Sequence, residues 1–162
     1  MTAKQLILAS TSPYRQELLK KLSYPFVAMK PLVDEEKEKD PSLSPLALAQ
    51  KLARLKALSL QGANKIVIGG DQLVSFEGKI LGKPHTPQKA VEQLMSMQGK
   101  THELITSVAI ATESELVEFT NITRLLMRKL TASQVERYVA TDHPLDCAGS
   151  YKIELHGIQL FE

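Results

Sequence analysis

The run Ile66-Val67-Ile68-Gly69-Gly70-Asp71-Gln72, followed by Gly82-Lys83-Pro84, decides the reading of this chain. Apolar β-branched residues in succession predict a buried strand, and paired glycines at its end let backbone or ligand approach closely. Asp71 is therefore expected at a strand terminus, where a carboxylate can hold a metal or accept a proton.

Outward from that strand, segments of strand character alternate with segments of helical period, which predicts an α/β architecture with ligands near strand ends. Leu6–Ala9 reads as the first strand. Ser12-Pro13 then opens a helix in the favoured order of N-cap and first-turn proline, with Leu18, Leu19 and Leu22 on its apolar face. Phe26–Met29 reads as a second strand, followed by an irregular charged stretch, Asp34–Asp40, and a loop to Pro45. A helix from about Pro45 to Leu60 leads into the Ile66 strand, and Glu77-Gly78-Lys79 marks a hairpin. Thr86-Pro87 opens a helix with Val91, Leu94 and Met95 inward; Ile105–Ala111 and Leu116–Ile122 read as neighbouring strands. Thr131-Ala132-Ser133-Gln134 is a capping box for a helix carrying Val135, Tyr138 and Val139.

Composition bounds the function. With 162 residues, 43% of them hydrophobic, the chain can build one domain with a real core. A net charge of +2 is too small to advertise a nucleic-acid surface. The lone Cys147 excludes an internal disulfide framework and fits a reducing compartment. No stretch approaches the apolar length that crosses a bilayer, so no membrane is expected and the chain reads as cytoplasmic.

Several constellations bear chemistry. Ser10-Thr11-Ser12-Pro13-Tyr14-Arg15 places hydroxyls and free amides at a strand-to-helix turn, an anion cradle reinforced by the helix dipole. Helix stability alone favours an acidic residue where Arg15 stands, so an anion would supply the missing negative charge; the plainer alternative is an ordinary cap with a solvated arginine. Lys56 has Ala49, Leu52, Ala53 and Leu60 as helical neighbours, so its ammonium reaches a pocket or a carboxylate, or else snorkels to water. Lys51 and Arg54 fall on the solvated side. Asp34, Glu35, Glu36 and Asp71 form a carboxylate set suited to a hard divalent cation and to preparing a water, although an acidic run is most often a solvated face. Lys83, between glycine and proline, is a point charge with restricted backbone, or part of a plain turn. In Cys147–Glu154, small residues leave room for a planar ligand and Glu154 could accept from the N1 and N2 donors of a guanine edge. Cys147 reads as a packed cysteine rather than a nucleophile. His85, His102, His143 and His156 lack zinc-type spacing and read as surface or structural.

Together these segments resemble the Maf family of nucleoside triphosphate pyrophosphatases, once described as septum-formation inhibitors. The motifs are Ala9-Ser10-Thr11-Ser12-Pro13-Tyr14-Arg15, Val33-Asp34-Glu35, Ala53-Arg54-Leu55-Lys56-Ala57, Gly69-Gly70-Asp71 and Gly82-Lys83-Pro84. The resemblance implies a mixed α/β fold of ITPase-like type, with flanking helices and two lobes around a central cleft within a single domain. It implies a homodimer and cleavage of a nucleotide to monophosphate and pyrophosphate with a divalent metal, Mg or Mn. By position, Asp71 would prepare water for attack at the α-phosphorus, Glu35 and Asp71 would hold the metal, and Ser10, Ser12, Arg15, Lys56 and Lys83 would hold the phosphates. Tyr14, Gln72 and Glu154 make the chain look more like the branch that cleaves 7-methyl-GTP than the branch that cleaves dTTP and UTP, which is the alternative within the family. Tyr14 stands where tryptophan is usual in that branch, and Gln16 replaces a frequent second basic residue. A non-catalytic nucleotide-binding regulator of cell division is the alternative from another class. Relatives continue past Phe161-Glu162 with a segment rich in glycine, asparagine and proline and a closing helix, so a C-terminal segment is expected to be lacking.

Overall fold

A parallel core opens the sheet. In the computed structural model, which describes residues 4–162, strand β1 (Gln5–Ala9) lies between β2 (Val27–Met29) and β3 (Lys65–Phe76) and runs parallel to both, with Ile7 opposite Val27 on one side and Val67 on the other. Parallel neighbours need crossovers, and helices α1 (Pro13–Lys20), α2 (Glu35–Glu38) and α3 (Pro45–Leu58) occupy the connections. After β3 the chain turns back into β4 (Lys79–Leu81) through Glu77 and Gly78, both at positive φ (50° and 76°), as the twist of a tight hairpin demands. With β5 (Thr101–Ala111) and β6 (Leu116–Leu126) these make a six-stranded mixed sheet, ordered β2-β1-β3-β5-β6 with β4 pairing β3. The expected α/β class with flanking helices is present.

Several local expectations are corrected. Strand β3 does not stop at the glycines but continues through Gly69, Gly70 and Asp71 to Phe76, so Asp71 is interior to a strand rather than at its end. Strand β3 is hydrogen-bonded to β5 in the sheet and, over Val74–Phe76, also to β4, so strand pairing holds the backbone extended past the glycines. On α1 only Leu19 is buried; Leu18 and Leu22 are each 62% exposed. The charged stretch expected to be irregular contains α2, whose opening positions carry Glu35 and Glu36, the acidic start that a helix dipole favours. Both β5 and β6 are longer than their apolar runs suggested.

The chain divides into two compact units, residues up to Gln72 with Thr106–Asn121, and Leu73–Ile105 with Ile122–Glu162. In the first, Ile7, Ala9, Leu60 and Val67 form one buried cluster, and Ala53, Ala57, Ala109 and Ala111 form another. In the second, α4 (Pro87–Met97) packs on α5 (Ala132–Asp142) around Leu94, Met97, Met127 and Val135, all out of contact with solvent. The expected capping box is present at Thr131, where the side chains and amides of Thr131 and Gln134 satisfy each other. His102 is structural: it packs against the Tyr151 and Phe161 rings, its Nε2 lies 3.1 Å from the Tyr151 hydroxyl, and burial holds its imidazole below the ordinary range. Strand β6 differs from the rest of the sheet. Leu116, Val117, Phe119, Ile122 and Leu126 are all exposed along it, and Arg54–Glu118 and Arg124–Glu103 ion pairs flank them.

The contact that matters most for the site is between α3 and β3. A Cβ on Gly69 would lie 2.4 Å from both the Ala53 carbonyl oxygen and the Ala57 amide nitrogen. Glycine on the strand and alanines on the helix thus let the two backbones touch, so of the two approaches the glycines allow, backbone or ligand, the one at Gly69 is made by the backbone of α3. Gly69→Ala forces α3 away from β3, and overpacking of this kind costs about 2 kcal/mol. A urea titration should show the midpoint falling accordingly; an unchanged midpoint would mean that the backbones are free to part.

Candidate active site

The same close approach delivers Lys56. It follows Ala53 by one helical turn and directly precedes Ala57, so its stem runs across the contact toward Asp71, which follows Gly70 on β3. The ammonium lies 2.8 Å from Asp71 Oδ1 and 3.0 Å from Glu35 Oε1. Lys56 is 3% exposed and Asp71 5%, so the lysine does not snorkel to water; its charge is met by the buried Asp71 and by Glu35, which reaches it from the surface. Of the acidic run, Glu35 turns to this lysine, whereas Asp34 and Glu36 pair with Lys37 and Lys39 at the surface.

Charge and hydrogen bonding are unequal here. One ammonium faces two carboxylates, so the cluster retains a net negative charge. Asp71 Oδ2 is buried with no hydrogen-bond partner. An orphaned buried acceptor costs about 1–3 kcal/mol, a cost relieved by a cation or a water bound against it. Among the described residues no group of three or more His, Cys, Asp and Glu side chains could hold a metal. A two-carboxylate site fits a hard divalent ion that keeps part of its water shell and takes other oxygens from a phosphate. Glu35 and Asp71, brought together on Lys56, are the residues that would hold it.

The β1–α1 turn belongs to the same unit. Ser10 Oγ accepts from the Ser12 amide at 3.1 Å, and Ser12 Oγ accepts from the Arg15 amide at 3.5 Å, so the turn is braced by its own hydroxyls. A hydroxyl that accepts in this way still has its proton to donate. No acidic residue occupies the first turn of α1, and among the described residues no carboxylate pairs with Arg15. Its Nε lies 3.8 Å from where a Cβ on Gly70 would stand. Tyr14 and Gln72 are exposed on the same unit.

Lys83 and Glu154 belong to the second unit. Lys83 is exposed in the turn before α4 and, with Lys89, Glu92 and Gln93, lines an open hollow of about 480 Å³. Gln93 was not foreseen. Its side-chain amide donates to the Gly82 carbonyl at 3.1 Å and its oxygen accepts from the Ser150 hydroxyl, so it fastens the Lys83 turn to the Gly149-Ser150 turn. Nothing in the sequence distinguishes it from a surface glutamine of α4. Glu154 is exposed in a turn ahead of His156. Cys147 is half-buried and not in a disulfide.

A family model described as Maf-like protein matches residues 5–162. A 7-methyl-GTP pyrophosphatase of Bdellovibrio bacteriovorus is 66% identical over 162 residues, covering 100% of this chain and 86% of that protein. Proteins of the same name are 40% identical in Pseudomonas putida, over 97% of this chain and 83% of theirs, and 42% identical in Vibrio parahaemolyticus, over 98% and 82%. The chain is also similar to the crystal structure of a nucleoside-triphosphatase / dITP/XTP pyrophosphatase from Mycobacterium abscessus, with a TM-score of 0.46 and 14% identity over 78% of this chain and 75% of that one. The chain belongs to the Maf family.

Removing the ammonium strands the buried Asp71 without a counter-charge. Lys56→Met should therefore lower the free energy of unfolding by about 3 kcal/mol. The double variant Lys56→Met/Asp71→Asn should recover part of the loss in the same denaturant titration. A double variant no more stable than the single one would show that Lys56 is not there to compensate Asp71.

Proposed function

We propose that the protein hydrolyses 7-methyl-GTP, or a closely related modified nucleotide, to the monophosphate and pyrophosphate. The observation that carries this reading is the Asp71 carboxylate, buried, held by Lys56 through one oxygen and without a partner on the other. Such a group has a fixed direction and an open acceptor, as a general base requires. The names of the relatives and the Tyr14, Gln72 and Glu154 triplet support the choice of nucleotide.

In this reading Asp71 takes a proton from a water as its oxygen attacks the α-phosphorus, and the bond from that phosphorus to the bridging oxygen of the departing pyrophosphate breaks. Arg15 and the Ser10 and Ser12 hydroxyls meet the phosphate charge, the arginine as a planar donor and the serines through their free protons. Lys56 has a task that precedes any phosphate contact: it holds Asp71 and Glu35 in one place. A Mg or Mn ion held by Glu35 and Asp71 would draw charge from the phosphoryl oxygens. The family resemblance assigns Lys83 to a phosphate, Glu154 to the guanine edge and the Tyr14 ring to a base whose methylation makes it cationic. The family resemblance adds a cytoplasmic homodimer acting on free nucleotides rather than on nucleic acid.

The purified protein, supplied with Mg or Mn and a panel of nucleoside triphosphates, should release pyrophosphate, fastest from 7-methyl-GTP. No release from any of them would leave a binding protein and remove the catalytic reading. Asp71→Asn keeps the shape but not the base, so turnover should drop by about a hundredfold or more with the circular dichroism unchanged. Glu154→Gln should move the preference away from guanine; an unaltered profile would remove Glu154 from base recognition.

A further inference from the structure

We propose that Tyr138 and Asp142, one helical turn apart on α5, are positioning residues for base recognition, because they fix the turn that presents Glu154. The inference rests on the reading above that Glu154 meets the base.

Glu154 sits in a turn that has no strand partner to place it. The turn is closed on itself by the Lys152 carbonyl, which accepts from the amides of Leu155 and Gly157, each at 3.1 Å. Glycine is required at its far side, since a Cβ on Gly157 would lie 2.4 Å from the Lys152 carbonyl oxygen. What fixes this closed turn to the rest of the unit is α5. The Tyr138 hydroxyl accepts from the Lys152 amide at 2.9 Å. Asp142 Oδ2 accepts from the His156 amide at 3.0 Å, and Asp142 Oδ1 lies 2.6 Å from His156 Nδ1. The bonds fall at Lys152 and His156, two residues either side of Glu154, so the turn is pinned at both feet and the glutamate stands between them.

Helix stability does not explain this arrangement. Asp142 is the last residue of α5, where a carboxylate opposes the helix dipole. Its side chain is nevertheless 2% exposed, while the His156 side chain it holds is 60% exposed. A buried anion at the unfavourable end of a helix, spent on an exposed ring and the amide beneath it, is what a tether for the turn needs. Tyr138 belongs to the same system: burial raises its phenol above the ordinary range, the Lys152 amide works against that, and the Asp142 charge reinforces it.

The test compares kcat/KM for 7-methyl-GTP, GTP and UTP in the full chain and in Asp142→Ala, Asp142→Asn and Tyr138→Phe. Asp142→Ala should lower the ratio of 7-methyl-GTP to UTP by roughly tenfold, within the range that a misplaced polar contact costs in discrimination. Tyr138→Phe, which removes one hydroxyl and keeps the packing, should move the ratio in the same direction, and Asp142→Asn, which retains one acceptor, should fall between Asp142→Ala and the parent. In a Glu154→Gln background Asp142→Ala should add little to the change in ratio, because both act through one contact. Equal losses on every nucleotide would make the pair merely structural and overturn the proposal. If Glu154→Gln itself leaves the profile unaltered, the base-reading role fails and the proposal with it. A readout free of catalysis is amide exchange at Leu155 and Gly157, which should quicken in Asp142→Ala and Tyr138→Phe; unchanged exchange would overturn the tether.

Discussion

The ammonium of Lys56, buried between Asp71 and Glu35, is the interaction on which the first unit's chemistry depends. A buried charge is tolerated only with its partners in place, and here each partner is drawn from a different stretch of chain: β3 for Asp71, the short α2 for Glu35. The lysine thus gathers acids that sequence separates. Its own position follows from steric contact, because α3 can carry it to β3 only while Gly69, Ala53 and Ala57 leave the two backbones room to touch. Electrostatics in this site is a consequence of small residues.

The cluster also shows how one carboxylate can be restrained and still keep an acceptor unmet. Lys56 engages one oxygen of Asp71 and leaves the other with an unmet acceptor in a buried place. The β1–α1 turn of the same unit carries the opposite character: an arginine unmatched by acid in the helix's first turn, and hydroxyls braced by the chain. Donor groups of this kind suit an anionic ligand.

Much of this was legible in the letters. Alternation of β-branched runs with helical periods predicted the α/β class, and the Ser-Pro, Thr-Pro and Thr-x-x-Gln signals marked the starts of α1, α4 and α5, because capping is a local matter. What failed was non-local. The glycines of β3 looked like the end of a strand, but the strand runs on through them, paired with β5 and, over Val74–Phe76, with β4. Leu18 and Leu22 looked like an apolar face, but burial depends on what a helix meets, and α1 buries Leu19 alone. For Lys56 the apolar neighbours revealed that the side chain would cross packed surface, without revealing that both Glu35 and Asp71 would receive it. The bonds of Gln93 and Asp142 had no local signature, since each serves a turn distant in the chain.

Strand β6 has a consequence for how folded copies of the chain meet. It ends the sheet in the strand order, and Val117, Phe119 and Ile122 stand exposed along it. A long apolar terminal strand is a template on which another extended segment can add. Glu118 and Arg124 interrupt the apolar row with charges already committed to Arg54 and Glu103. Adding a further strand there would disturb those pairs, so they weigh against folded copies of the chain joining sheet to sheet.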